Sequence, residues 1–256
     1  MGKIRIERTH QGRAGKIIID RPGKMNAMTV EMRQAYGRAI GELSDEPKVR
    51  VVLVQGAGNK AFSAGGDVAQ FLKLAPHDLV AWGKEMETTE ACPKPVIAAI
   101  DGFALGAGFE LALACDIRIA TESSEFALPE VRLGMMPGSG GSQRLLRLIG
   151  PGRAKYWIMT GRRMDAAEAE RLGIVAKVVP AGELDAVVEE LVQDLLKLSP
   201  LSLGVLKRTL QDGADVPLGT ALELERKAYA YLRSTHDYEE GVRAFLEKRL
   251  PRFEGR

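Results

Sequence analysis

The feature that most constrains this chain is a change of pattern late in the sequence. Before it, short β-branched runs closed by Gly, Pro, Asp or Asn predict strands at residues 16–20, 49–55, 96–100 and 116–120. An amphipathic helix with Thr29 as its N-cap is predicted between the first two strands. Strands that alternate with helices are typical of an α/β fold with largely parallel pairing.

After about Asp185 the pattern predicts helices only. The predicted helices cover residues 186–198, 201–211, 218–232 and 238–248. Prolines and glycines separate them, as expected of residues that end helices. We therefore predict an α/β body at residues 1–198 and a C-terminal helical region at residues 199–256.

Composition excludes several classes of protein. With 36 Lys and Arg against 34 Asp and Glu, and no block of five like charges, we expect no nucleic-acid partner. Cys92 and Cys115 lie in apolar sequence, which predicts buried, reduced thiols. The N-terminal sequence does not resemble a signal peptide, and the longest apolar runs are too short to span a bilayer. We expect a cytoplasmic protein with no membrane partner.

Common cofactor and nucleophile motifs are missing from the chain. No segment completes a Walker loop, the GxGxxG dinucleotide motif or the GxSxG nucleophile elbow. Neither a CxxC pair nor a Cys/His cluster is present, so we predict no metal site. Hydride transfer, phosphoryl transfer, triad hydrolysis and zinc chemistry are therefore disfavoured.

Three glycine-rich segments remain, at residues 60–67, 101–112 and 128–144, and each follows a strand. Small residues let a ligand approach the backbone, and strand-to-helix turns leave N–H groups without partners. Two such turns aimed at one point can hold a developing oxyanion. Glu110 is either a helix-dipole partner or a catalytic group, and Glu130 is either a solvated or a catalytic carboxylate. Together these segments predict a pocket.

The same segments resemble the enoyl-CoA hydratase/isomerase family, also called the crotonase family. The resemblance begins at Asp20-Arg21-Pro22 and Asn26-Ala27-Met28 and ends at residues 244–249. It implies a crotonase-like (ClpP/crotonase) spiral of ββα units followed by a C-terminal helical trimerisation region. It also implies a homo-oligomer, either a trimer or a dimer of trimers.

By this resemblance, the backbone N–H groups of Gly66 and Ala107 hold the thioester carbonyl. Glu110 and Glu130 match the two family carboxylates that handle water and the α-proton. Ala107 stands where many members have the middle glycine of a triplet. Because the contact is a main-chain N–H, one added methyl group is not expected to abolish it.

The resemblance also implies contacts to coenzyme A. The residues that match are Lys24, Asn26, Ala27, Lys60, Ala64, Gly65, Asp67, Phe245 and Lys248. Residues 24–27 and 64–67 correspond to backbone contacts with pantetheine and adenine. The lysines at 60 and 248, with the phenylalanine, correspond to cationic and aromatic contacts with the nucleotide end. Each of these two lysines is equally well interpreted as a solvated surface charge.

The activity implied is hydration of a 2-trans-enoyl-CoA to a 3-hydroxyacyl-CoA, by default in fatty-acid β-oxidation. A Δ3,Δ2-enoyl-CoA isomerase, which needs only one carboxylate, and other acyl-CoA reactions of the family are the alternatives. An RNA-binding protein is a further alternative, disfavoured by the charge balance. The segment 68–91, with Phe71, Leu72, Leu74, Trp82 and Met86, either lines an acyl pocket or belongs to the core.

Overall fold

The computed structural model describes residues 2–256, except for the side chains of residues 76–82. The chain divides into two compact units, residues 1–92 with 96–189 and residues 93–95 with 190–256. This division falls inside a helix, Leu184–Leu196, whereas the sequence predicts it after residue 198.

The secondary structure alternates strands and helices before it becomes helical. The strands are β1 (Lys3–Thr9), β2 (Ala14–Asp20), β3 (Val51–Gly56), β4 (Ala61–Ser63), β5 (Val96–Ile100), β6 (Phe103–Leu105), β7 (Ile117–Thr121), β8 (Glu125–Ala127), β9 (Met164–Asp165) and β10 (Lys177–Val179). The α-helices are α1 (Val30–Asp45), α2 (Val68–Phe71), α3 (Pro76–Ala91), α4 (Ala107–Ala114), α5 (Gly141–Thr160), α6 (Ala166–Arg171), α7 (Leu184–Leu196), α8 (Pro200–Ala214), α9 (Leu218–Arg233) and α10 (His236–Leu246). The predicted α/β class is confirmed.

Two sheets organise the first unit. The larger has the strand order β1-β2-β3-β5-β7-β10, in which only β1 and β2 pair antiparallel. The smaller has the order β4-β6-β8-β9, with β4, β6 and β8 parallel. The central strands β3 and β5 read as nearly continuous apolar runs, as is typical of parallel strands that are buried on both faces. Largely parallel pairing is therefore confirmed.

The chain repeats one ββα pattern three times. Strands β3, β5 and β7 belong to the larger sheet, and each is followed by a three-residue strand of the smaller sheet, namely β4, β6 and β8. A helical segment follows each short strand. Since β4, β6 and β8 are parallel neighbours, the three segments that leave their carboxyl ends lie side by side. This register positions the candidate site.

Helix α1 begins where the sequence predicts it. Thr29 is its N-cap and accepts a hydrogen bond from the Met32 amide at 3.3 Å. Tyr36, Ile40 and Leu43 are buried at helical spacing and pack in the core of the first unit. The local sequence pattern therefore predicted both the N-cap and the buried face of this helix correctly.

The C-terminal part is helical, as predicted, in α7 to α10. Asp237, buried at the start of α10, accepts hydrogen bonds from the Ser199 hydroxyl at 2.6 Å and from the amides of Glu254 and Gly255. This carboxylate ties the end of the chain to the helices of the second unit. Among the described residues, no helix is both long and apolar enough to cross a membrane.

Candidate active site

One cavity of the first unit, about 640 Å³ including its open mouth, brings together the four predicted catalytic positions. Gly66, Ala107, Glu110 and Glu130 all line it. They come from the three segments that follow β4, β6 and β8. The parallel register of these strands is therefore the physical reason that the four residues meet.

Gly66 lies in the turn after β4. Met28 donates to the carbonyl of Gly65 at 2.8 Å, and Asp67 donates to the carbonyl of Met28 at 2.9 Å. These two hydrogen bonds fix the turn, and the Gly66 N–H takes part in neither of them. Gly65 has φ +97°, a conformation that favours glycine. The turn thus presents a backbone donor beside the cavity.

Ala107 is the first residue of α4. Its N–H has no carbonyl one turn earlier in the helix to bond, and the positive end of the helix dipole lies there. Gly106 turns the chain at φ +50° and donates to the Ala127 carbonyl at 2.8 Å. A Cβ atom on Gly65 would lie 3.2 Å from the Ala107 nitrogen, so the two turns are in contact.

Glu110 is 2% exposed, and its Oε1 accepts two backbone hydrogen bonds. The donors are the amides of Ser139, at 2.8 Å, and Gly141, at 2.9 Å. Both come from the glycine-rich turn that begins α5. Two N–H donors on one oxygen fix the orientation of the Glu110 side chain.

Glu130 follows β8 in a short 3-10 helix and is half-buried. Its Oε2 is buried without a hydrogen-bond partner among the described residues, and its Oε1 would lie 3.1 Å from a Cβ on Gly106. Burial is the main cause that raises the pKa of Glu130 to about 7. A backbone hydrogen bond opposes the rise, the charge of Glu110 adds to it, and the charge of Arg33 opposes it. The two carboxyl groups are therefore in different environments.

Arg33, which the sequence analysis did not select, lines the same cavity. It is 1% exposed, and its Nη2 would lie 2.8 Å from a Cβ on Gly66. Burial lowers its pKa to about 10, and the charges of Glu110, Glu85 and Glu130 oppose that fall. The guanidinium is thus still positive at neutral pH. The sequence pattern that could have indicated Arg33 is its position on the apolar face of α1, three residues before Tyr36.

The predicted coenzyme A contacts are spread over several places. Lys24 and Lys60 are exposed beside two separate cavities of the first unit, while Ala64 and Gly65 line the central one. Ala27 is half-buried, and its carbonyl accepts a hydrogen bond from the Arg21 guanidinium. Each lysine leaves an ammonium group accessible to an anion.

Two predicted contact residues use their side chains to shape these loops. The Asn26 side chain bonds the amide of residue 21 and the carbonyls of residues 57 and 61. Asp67 pairs with Arg21 at 2.9 Å and caps α2. Their predicted backbone contacts to a ligand do not require these side chains. Phe245 and Lys248 belong to the second unit, and both are exposed.

The segment that was ambiguous between acyl pocket and core divides between the two. Val68 and Phe71 line the cavity, whereas Met86 is buried in the core and Leu72 is 99% exposed. The side chain of Trp82 lies outside the described residues. Further apolar lining comes from the third glycine-rich segment, at Leu133, Met135 and Met136.

With this geometry established, comparison with known proteins identifies the family. A family model for enoyl-CoA hydratase/isomerase matches residues 9–256. The chain belongs to the enoyl-CoA hydratase/isomerase family. A crystal structure of an enoyl-CoA hydratase from Bacillus anthracis superposes with a TM-score of 0.95 at 38% identity, over 99% of this chain and 100% of that one. The crotonase fold predicted from the resemblance is therefore confirmed.

Relatives of known sequence agree with this assignment. The short-chain-enoyl-CoA hydratase of Clostridium acetobutylicum is 37% identical over 93% of this chain and 93% of its own length. The crotonyl-CoA hydratase of Syntrophomonas wolfei is 39% identical, also over 93% of both chains. Matches of this length show that the whole crotonase-family architecture is shared.

Proposed function

We propose that this family member is an enoyl-CoA hydratase, which adds water across the 2-trans double bond of an enoyl-CoA thioester and yields a 3-hydroxyacyl-CoA. The observation that carries the proposal is a single cavity lined by two carboxyl groups in contrasting environments, Glu110 and Glu130. Relatives named as enoyl-CoA hydratases support the same activity.

The thioester carbonyl would accept hydrogen bonds from the N–H groups of Gly66 and Ala107. These donors stabilise the enolate oxygen that forms when water attacks C3, and the N-terminus of α4 adds its dipole. One such donor typically contributes about 3–4 kcal/mol of transition-state stabilisation. The contact between the two turns supports their acting on one oxygen.

The two glutamates then have complementary roles. Glu110, oriented by two amides, takes a proton from water as the water oxygen bonds to C3. Glu130, with its pKa raised to about 7, is substantially protonated near neutral pH and delivers its proton to C2. The product gains one hydrogen and one hydroxyl group, and solvent exchange restores both carboxyl groups.

The alternative within the family is a Δ3,Δ2-enoyl-CoA isomerase. That reaction moves one proton along the acyl chain and needs one carboxylate. The fixed orientation of Glu110 in the cavity favours a reaction that uses a second carboxylate. Parallel assays of crotonyl-CoA and a 3-enoyl-CoA, with products identified by mass, test the choice. Turnover of the 3-enoyl substrate alone would contradict the hydratase proposal.

Substitution of each carboxyl group tests its role. We expect Glu110→Gln and Glu130→Gln each to lower kcat for crotonyl-CoA hydration by about 100-fold or more with little change in KM. Glu122→Gln, at an exposed position, is the control. Near-normal turnover by either active-site variant would exclude the role assigned to that residue.

Coenzyme A enters as part of the substrate, and we propose that no separate cofactor or metal takes part. Proton transfers and main-chain donors supply all of the chemistry described. In the first unit, we propose that Lys60 is a cationic contact to the nucleotide end of coenzyme A. In the second unit, we propose Lys248 as a cationic contact and Phe245 as an aromatic contact to that end. Attraction by exposed lysines is screened by salt, so KM for crotonyl-CoA should rise with ionic strength. A KM independent of salt would contradict phosphate capture by these lysines.

We also propose a homo-oligomer, a trimer or a dimer of trimers, assembled through the C-terminal helices. Large apolar side chains exposed on these helices support it: Leu206, Leu210, Leu218, Tyr229, Phe245 and Leu246. Sedimentation equilibrium measures the assembly, and a monomer at micromolar concentration would refute it. The cytoplasmic location and the role in β-oxidation stay predictions.

A further inference from the structure

The turn that holds Glu110 is itself held by a side chain that does not line the cavity. Arg144 lies in the first turn of α5, and its Nη1 donates to the Ser139 carbonyl at 2.6 Å. The amide of the same residue, Ser139, donates to Glu110 Oε1 at 2.8 Å. The Arg144 guanidinium therefore binds the carbonyl of Ser139, and the Glu110 carboxylate binds the amide of the same residue.

Arg144 is fixed in turn by Glu90 near the end of α3. The guanidinium donates through Nε and Nη2 to the two carboxylate oxygens, at 2.7 Å and 2.5 Å. Such two-point pairs are strong and set the plane of the arginine. The Arg144 side chain is 15% exposed, so water competes little with these bonds. The pair therefore joins the end of α3 to the start of α5.

Gly140 shows how closely the guanidinium packs on the turn. A Cβ atom at this position would collide with Arg144 Nη1. The next residue, Gly141, gives the second amide that bonds Glu110. The Arg144 side chain thus bonds Ser139 and packs on Gly140, the two residues that precede Gly141 in the turn.

We propose that Arg144, oriented by Glu90, is a positioning residue for Glu110. It holds the turn at residues 139–141 in the conformation that directs two amides to the Glu110 carboxylate. The inference rests on the proposed function, in which Glu110 activates water. A misplacement of a catalytic group by about 1 Å costs about 100-fold in rate. Loss of the arginine is therefore expected to lower turnover rather than substrate binding.

A purely structural link between α3 and α5 would also be broken by the same substitution, and a thermodynamic cycle separates the two roles. If Arg144 acts through Glu110, its removal matters only while the Glu110 carboxylate is present. If it supports the fold alone, its removal has the same effect in both backgrounds.

The experiment measures kcat, KM and Tm for crotonyl-CoA hydration by full-length protein. The variants are Arg144→Met, Arg144→Lys and Glu90→Gln, each made in the wild-type and the Glu110→Gln backgrounds. Arg147→Met is the control because Arg147 lies on the same helix and is exposed. A Glu110→Gln protein with near-normal turnover would refute the proposed function itself, and that result is visible before any arginine is changed.

We expect Arg144→Met to lower kcat by about 10- to 100-fold with KM nearly unchanged. In the Glu110→Gln background the further loss should be about twofold or less, and Arg144→Lys should lie between Arg144→Met and wild type. An equal loss in both backgrounds would overturn the proposal. So would a folded Arg144→Met protein with normal kcat.

If Arg144→Met does not fold, Glu90→Gln tests the positioning role instead, by its loss of kcat in the wild-type and the Glu110→Gln backgrounds. Glu90 is partly exposed, and its substitution leaves the bond between Arg144 and Ser139 in place. A loss of about three- to tenfold is expected in the wild-type background, since a neutral amide pairs less strongly with the guanidinium. That loss should disappear in the Glu110→Gln background. No loss, or the same loss in both, would overturn the positioning role.

Discussion

A Cβ atom placed on Gly141 would lie 2.7 Å from Cγ of Glu110. The Gly141 amide also bonds Oε1 of that carboxylate at 2.9 Å. The turn can approach the glutamate this closely because residue 141 has no side chain. The same space is closed by Leu128, whose Cδ2 would lie 3.0 Å from the added atom. Glycine is therefore needed here for space rather than for backbone conformation.

The first prediction follows from this contact. Gly141→Ala should displace the Glu110 carboxylate and lower kcat for crotonyl-CoA hydration by about 10- to 100-fold, with a smaller change in KM. Gly152→Ala is the matched control, because a Cβ at that position of the same helix meets no atom within 4 Å. Wild-type kinetics in Gly141→Ala would show that Glu110 does not need its present orientation.

The second prediction concerns the pH dependence of activity. Glu130 is proposed to donate a proton, and its pKa is raised to about 7 by burial and by the charge of Glu110, against the opposing charge of Arg33. We expect kcat/KM, which reports the enzyme without substrate, to fall about tenfold per pH unit above this pKa. Initial rates measured from pH 6 to pH 9 test it. A flat profile up to pH 9 would exclude Glu130 as the proton donor.

The third prediction concerns stability. Because the pKa of Glu130 rises from 4.5 to about 7, the folded protein keeps a proton between these values that the unfolded chain releases. The contribution of this group to the free energy of unfolding is therefore fully present below about pH 4.5, and it is lost as pH rises through about 7. Glu130→Gln should increase the free energy of unfolding at pH 8 by roughly 1–2 kcal/mol, less than full linkage because the group is only partly buried.

Thermal unfolding at two pH values measures this effect. Glu130→Gln should have a higher Tm than wild type at pH 8 and a similar Tm near pH 4.5. Glu122→Gln, an exposed substitution of the same charge, should show neither difference. A lower Tm for Glu130→Gln at pH 8 would mean that the carboxylate contributes favourable contacts when ionised.

The fourth prediction concerns Arg33, the buried cation of the cavity. Arg33→Met removes a positive charge that favours ionisation of Glu130. We expect the fall of kcat/KM at high pH to move to higher pH, and kcat to decrease by roughly tenfold because the cavity loses a cation near the developing oxyanion. Arg38→Met, on the exposed face of the same helix, is the control. An unchanged pH profile would show that Arg33 does not act on Glu130.

Features with a local physical origin were predictable from the sequence. The N-cap at Thr29, the buried face of α1 and the C-terminal helices follow from side-chain periodicity and from residues that start or stop helices. Core strands such as β5 follow from apolar runs closed by turn residues. The glycine-rich turns, with the family resemblance, indicated Gly66, Ala107, Glu110 and Glu130 as candidates.

Other features were decided by tertiary structure alone. Strands β4, β6 and β8 have three residues each, too few for a periodic signal, yet their parallel register brings the candidate turns to one cavity. Arg33 lines that cavity from α1, which precedes all three glycine-rich segments in the chain. Arg144 is hydrogen-bonded to Glu90, which lies 54 residues earlier in the sequence. Hydrogen bonds and charges between such distant segments form only after the chain has folded, so no local pattern of residues encodes them.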